Sequence, residues 1–237
     1  MLSAKPWRRE FVALFCAAQL TCFCLGQLVL GLLHEAGVAA FKSLNGFGPV
    51  LLGTLSFQGA TWVLIYFFLK LHQVRWREVF GLRESGLPRT LLLVLLTVLV
   101  VFPVTQGLQQ VSALVMEKIG WPPEEQTAVK LLLGAKSWWA RIYLGVFAVV
   151  MAPVAEEFIF RGVLYRSVKQ LGYPRCAWLG VSFLFALIHM DMAAVVPLFV
   201  LALALTWLYE RTDNLLAPIL AHSLFNLAGL MVFYSVK

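Results

Sequence analysis

TLLLVLLTVLVVFPVTQGLQQVSALVM, from Thr90 to Met116, runs for 27 residues without a charge. A helix needs about 20 predominantly apolar residues to cross the ~30 Å hydrocarbon core of a bilayer. Outward from this stretch the pattern repeats. Phe11–Leu33 and Phe47–Leu69 are each uncharged over 23 residues, Met192–Tyr209 is uncharged, and Leu215–Val236 holds only a histidine. Ile142–Tyr165 and Cys176–Met190 are two interrupted runs. Seven candidate spans result, with six to eight as the range. Backbone groups in lipid must be satisfied inside the segment, so helices are the default. Runs this long and continuous differ from barrel strands, which alternate over about 10 residues. The expected fold is therefore an all-α, polytopic transmembrane helix bundle.

Composition agrees. Of the 237 residues, 61% are hydrophobic and 13% charged, against about 45–50% and about 25% in soluble domains. This excludes a soluble globular enzyme, a disordered chain and a secreted disulfide scaffold. The first run is too long for the 7–15-residue apolar core of a signal peptide, and no A-x-A-like site follows Leu33. Cys16, Cys22 and Cys24 lie inside it and Cys176 near a span end, where they read as small buried apolar residues rather than a zinc or disulfide framework.

The charge of +7 is unevenly placed. At alternate span ends, thirteen Lys and Arg fall on one side (Lys5, Arg8, Arg9, Lys70, Arg75, Arg77, Arg83, Arg89, Arg161, Arg166, Lys169, Arg175, Arg211) and six on the other. The positive-inside rule then puts the N-terminus in the cytoplasm and the C-terminus outside. The basic excess reads as topology and attraction to anionic lipid. No basic run is dense or interleaved with aromatics, so no nucleic-acid partner is expected. Residues 1–237 read as one transmembrane domain. Glu124–Trp139 reads as a short interfacial helix anchored by Trp138 and Trp139. Leu71–Arg89, with Gly81, Gly86 and Pro88, reads as an irregular cytoplasmic loop.

Charges at mid-bilayer cost at least ~2.5–3.5 kcal/mol on the insertion scale and mark functional sites by default. Ala155–Gly162 reads A-E-E-F-I-F-R-G. Glu157 and Arg161 are four apart and share a helix face, so they pair; Glu156 is turned about 100° away. Two of the four histidines also fall at membrane depth: His189, in F-A-L-I-H after Phe185, and His222, in H-S-L-F-N before Asn226. Each alone reads equally well as interhelical glue. Counted from the expected cytoplasmic ends, however, Glu156, His189, His222 and Asn226 lie at a common depth of roughly 12–20 Å. A carboxylate at that level can serve as general base on a water, a histidine can orient it, and a second imidazole with an amide can stabilise an oxyanion. The same groups could instead hold zinc, although H-E-x-x-H is missing. An ion or proton path in a small carrier, or an inactive scaffold, is the alternative from another class; it lacks support from inverted repeats.

E-E-x-x-x-R at Glu156, Glu157 and Arg161, F-x-x-x-H at Phe185 and His189, and H-x-x-x-N at His222 and Asn226, in that order on separate spans, resemble the CPBP family. This family comprises type II CAAX prenyl endopeptidases and bacteriocin-processing or self-immunity (Abi) proteins. The resemblance covers roughly Ile142–Leu230. It implies an intramembrane glutamic endopeptidase acting on a membrane-associated or prenylated polypeptide, with residues 142–230 as the catalytic helices. By resemblance Glu156 is the base, His189 helps to hold the water, and His222 and Asn226 form the oxyanion hole. Glu157, Arg161 and Phe185 support the site, and no cofactor is implied, with zinc as the alternative. The short chain looks more like a bacterial member, placed in the inner (plasma) membrane.

Overall fold

The computed structural model describes residues 6–43, 46–79, 86–121, 131, 134 and 137–235. Among these the chain is all-α. Six helices are long and apolar enough to cross a membrane: α1 Arg9–Glu35, α2 Phe47–Leu71, α3 Leu87–Lys118, α4 Trp138–Gln170 and, after the shorter apolar helix α5 Pro174–Leu187, α6 Val195–Thr212 and α7 Leu216–Ser235. This is an integral membrane protein, and all seven expected runs are helical. Six reach spanning length. The 14 residues of α5 rise only about 21 Å at 1.5 Å each, short of the ~30 Å core.

The chain divides into two compact units. The first comprises Arg8–Val74 and Glu125–Ala155, and so holds α1, α2 and the first half of α4. Its polar contacts are local substitutes for water. Gln19, buried in α1, donates from Nε2 to the Phe57 carbonyl at 3.1 Å. Phe57 lies in the π-helical turn Leu55–Gly59 of α2; a wider turn offers a carbonyl to a neighbouring helix more readily than a regular one. Close approach is set by Gly26, where any Cβ would collide with Ser56.

The second unit comprises Met1–Trp7, Arg75–Glu124 and Glu156–Lys237, and so holds α3, the rest of α4, α5, α6 and α7. Leu201, Leu205 and Leu208, at i, i+4 and i+7 on α6, pack with Val94 of α3 and Ala217 and Ala221 of α7. Lipid tails are as apolar as leucine, so burial alone does not drive this association. Small residues that let backbones approach do, and Ala177, Ala186, Ala202, Ala217 and Ala221 are all buried at such positions.

The interior of α4 departs from regular geometry twice, at the π-helical turns Phe147–Met151 and Phe158–Tyr165. Pro153 explains the first, because it has no N–H to give the Val149 carbonyl four residues back. The second carries Arg161. The helix begins earlier and ends later than the expected run Ile142–Tyr165, starting on the stacked, exposed pair Trp138 and Trp139. Most of the interfacial helix expected over Glu124–Trp139 lies outside the described residues, as does the middle of the loop Leu71–Arg89. That loop includes one helical turn, Trp76–Val79, whose last carbonyl accepts the Leu215 amide at 3.4 Å.

Candidate active site

The candidate site lies wholly within the second unit, and its centre is Arg161. The residue is fully buried, with 0% of its surface exposed, and so is Glu157. As the i, i+4 spacing predicts, Arg161 Nη1 donates to Glu157 Oε1 at 2.7 Å. The rest of the fork is spent on α6. Nη2 donates to the Ala202 carbonyl at 3.0 Å and Nε to Thr206 Oγ1 at 3.3 Å. Thr206 in turn donates its own hydroxyl hydrogen to Ala202 O at 2.9 Å, which leaves its lone pairs to receive Arg161. The Phe185 ring of α5 lies 4.8 Å from the guanidinium carbon, a distance at which a desolvated cation–π contact contributes about 2 kcal/mol.

His222 of α7 completes this arrangement. Its Nδ1 is 2.9 Å from Glu157 Oε1. A carboxylate oxygen accepts, so Nδ1 carries the proton. The opposite ring nitrogen, Nε2, then faces Glu156 Oε2 at 3.9 Å. One imidazole thus sits between two adjacent carboxylates, each on its own nitrogen. Glu157 Oε1 accepts from both Arg161 and His222, while Glu157 Oε2 is buried without a hydrogen-bond partner among the described residues. Glu156 keeps 14% of its side chain exposed, so of the two acids it is the one that solvent can reach.

His189 differs from expectation. The run Cys176–Met190 places it inside a span, but α5 ends at Leu187 and His189 lies two residues beyond, just before Met190 at φ +52°. A left-handed residue ends a helix, and a methionine in that conformation gives no warning in sequence. The expected link to Phe185 nevertheless holds. His189 Nδ1 is 2.7 Å from the Phe185 carbonyl and the rings are 4.8 Å apart. The carbonyl can only accept, so Nδ1 carries the hydrogen and the neutral ring presents its lone pair at Nε2. Phe185 also meets the His222 ring at 5.7 Å and Phe160 at 5.1 Å. It is a buried hub that spaces the two histidines. Asn226 follows His222 by one turn of α7 and is half-buried.

Contacts therefore join Glu156, Glu157, Arg161, Phe185, His189 and His222, while Asn226 is placed by helical register. Sequence reading missed Thr206 and the Ala202 carbonyl. A lone threonine in an apolar run is too common to stand out, and a backbone acceptor has no residue-type signal. Among the described residues no three His, Cys, Asp or Glu side chains converge as a metal-ion ligand set. Glu156 and His222 approach as a pair, and each histidine has Nδ1 held by an oxygen acceptor, which leaves its Nε2 available.

Residues 137–228 match the family model "Rce1-like: Type II CAAX prenyl endopeptidase Rce1-like". Three curated relatives each match about a third of the chain. "UPF0177 protein YxdF" of Lactococcus lactis subsp. lactis (strain IL1403) is 31% identical over 81 residues, 34% of this chain and 44% of the relative. "UPF0177 protein YaiF" of the same strain is 36% identical over 81 residues, 32% of this chain and 34% of the relative. "Putative membrane peptidase YdiL" of Bacillus subtilis (strain 168) is 27% identical over 77 residues, 32% of each. The chain thus spans less than half the length of these relatives. No solved structure matches it. The matched stretch contains every residue of the site from Glu156 to Asn226, so the helices that build the site are those similar to the type II CAAX prenyl endopeptidase, Rce1-like family.

Proposed function

We propose that the protein is an intramembrane endopeptidase that hydrolyses a peptide bond of a membrane-associated or prenylated (CAAX-type) polypeptide with a water activated by Glu156. The observation that carries this reading is the His222 ring held between Glu157 and Glu156. Glu156 is the reachable acid and takes a proton from the water as its oxygen attacks the scissile carbonyl. His189 Nε2 accepts the water's other hydrogen and holds its lone pair toward the substrate. His222 Nε2 and the Asn226 amide donate to the oxygen on which negative charge develops. Glu156 then passes its proton to the leaving amine. The donating role of His222 Nε2 requires a hydrogen there in addition to the one that Nδ1 gives to Glu157. Glu157 and Arg161 fix the ring.

The mechanism needs only protein groups and water. The test is cleavage of a fluorogenic peptide ending in a farnesylated cysteine tail, by the purified full chain in lipid nanodiscs, with and without a strong chelator. Cleavage that persists in chelator, and that falls when the lipid is omitted from the peptide, is expected. Loss in chelator with recovery on added zinc would transfer Glu156, His189 and His222 to ligand roles. No cleavage at all would favour a carrier, a scaffold or a bacteriocin-immunity protein.

We place the protein in a bacterial plasma (inner) membrane with the N-terminus and the mouth of the site on the cytoplasmic side. Arg161 and Arg166 are buried in α4 and cannot count as loop charges, yet eleven basic residues still face six. That excess attracts anionic lipid to the side from which a lipidated tail would arrive. Single cysteines at Tyr173, between α4 and α5, and Trp121, after α3, are both 61% exposed. With the native cysteines replaced, an impermeant thiol reagent is expected to label Tyr173→Cys only in inside-out vesicles and Trp121→Cys only in right-side-out ones. Labelling of both from one face would overturn the topology.

A further inference from the structure

Trp7 precedes α1 by two residues and belongs to no helix, yet it is only 6% exposed. A tryptophan at a span end ordinarily sits at headgroup level with its polar edge wet. This one is committed to three partners on α4. Its indole Nε1–H donates to the Gly162 carbonyl at 2.7 Å, in a buried bond. Its backbone N–H donates to Gln170 Oε1 at 3.0 Å. Its ring lies 4.0 Å from the guanidinium carbon of Arg166, itself buried.

Gly162 is the residue after Arg161, inside the π-helical turn Phe158–Tyr165. In a regular helix the Gly162 carbonyl would take the Arg166 amide. Here, inside a π-helical turn, the indole N–H donates to the Gly162 carbonyl. An extra residue in a helical turn rotates everything beyond it relative to everything before it. The position of Arg161 relative to Glu157 therefore depends on that turn staying widened. Arg161 must reach back to Glu157 while its other nitrogens meet Ala202 and Thr206, and Glu157 in turn aims His222.

The geometry points to Trp7 as a positioning residue: a peg on the chain's N-terminal stretch that holds the π-helical turn of α4 and thereby the angle of the Arg161–Glu157–His222 set. Its activity readout rests on the endopeptidase reading; its spectroscopic readout does not. Two variants are made in the full chain. Trp7→Phe keeps an aromatic ring beneath Arg166 and removes the N–H. Replacement of Trp7 by 3-benzothienylalanine exchanges the N–H for sulfur at nearly unchanged shape, and so stays informative if Trp7→Phe does not fold. Each is measured in nanodiscs for kcat and KM on the farnesylated peptide, for melting temperature, and for the histidine side-chain ¹⁵N resonances, with His222 assigned through His222→Asn.

A lost buried hydrogen bond is worth on the order of tenfold. The expected result is a kcat about tenfold lower with KM unchanged and displaced His222 resonances, alongside a modest fall in melting temperature from the unpaired Gly162 carbonyl. Wild-type His222 resonances in the benzothienyl protein overturn the proposal, as does unchanged kcat where the parent is active. So does a lower melting temperature with no shift at His222, which is what a purely structural anchor would give. If the parent cleaves nothing, the endopeptidase reading is what fails, and the His222 resonances alone decide the role of Trp7.

Discussion

Glu156→Gln is expected to lower kcat by on the order of 10²–10⁴, the range that positioned general bases contribute, while yield and melting temperature stay near the parent's. Glutamine keeps the shape and one acceptor oxygen but cannot take a proton from water. Folding is spared because the acid is partly exposed and His222 Nε2 is 3.9 Å away, beyond hydrogen-bond length. His222 retains its bond to Glu157 on the other nitrogen. Near-parent turnover in this variant would remove Glu156 as the base. A collapse of yield would make it a structural member of the ion cluster instead.

The second large effect is on stability. Arg161→Met is expected to cost roughly 3–5 kcal/mol, the usual result of stripping one partner from a buried pair, and to reduce the folded yield severely. The loss follows from what is left behind: a fully buried Glu157 with only His222 to answer it, and a Thr206 Oγ1 that no longer receives the Arg161 N–H. Glu157→Gln is expected to be damaging in the same direction and to abolish activity as well, because one neutral amide oxygen replaces the carboxylate that holds both Arg161 and His222 Nδ1. Combined, Glu157→Gln with Arg161→Met is expected to regain much of the stability and none of the turnover, since no uncompensated charge remains but the ring is no longer aimed. Equal and additive losses in the single and double variants, read as melting temperatures in nanodiscs, would refute the locking pair.

How far the sequence speaks for itself differs by kind of interaction. Seven apolar runs announced seven helices, because hydropathy reports directly on what lipid will accept. The Glu157–Arg161 pair was legible because both partners sit on one helix at a fixed spacing. Glu156 was read as turned away from that pair, and it is, yet both acids reach His222 because α7 presents one imidazole edge to each. That depends on how α7 packs on α4, which spacing along α4 cannot express. The remaining surprises share a cause. The π-helical turn of Phe158–Tyr165, the end of α5 before His189, the Ala202 carbonyl and the Trp7 bond to Gly162 are all matters of backbone hydrogen-bond register. Register leaves no mark in residue type when the residues concerned are Gly, Ala, Met and Phe.

The locality of the Glu157–Arg161 bond also bears on how the chain enters the membrane as it is made. Both partners lie within one turn of α4, so the ion pair can form as soon as that segment leaves the ribosome. The acceptors on α6 are separated from Arg161 by 41 and 45 positions, and His222 is separated from Glu157 by 65. At about 5–20 residues per second of synthesis, several seconds pass before those partners exist. During that interval the translocon meets α4 as a segment whose arginine is already neutralised by its own glutamate, at a lower transfer cost than two separate charges would impose. A four-residue spacing thus serves biogenesis first: it lets the helix that carries the buried ion pair be admitted to the bilayer before the helices that will later enclose it have been translated.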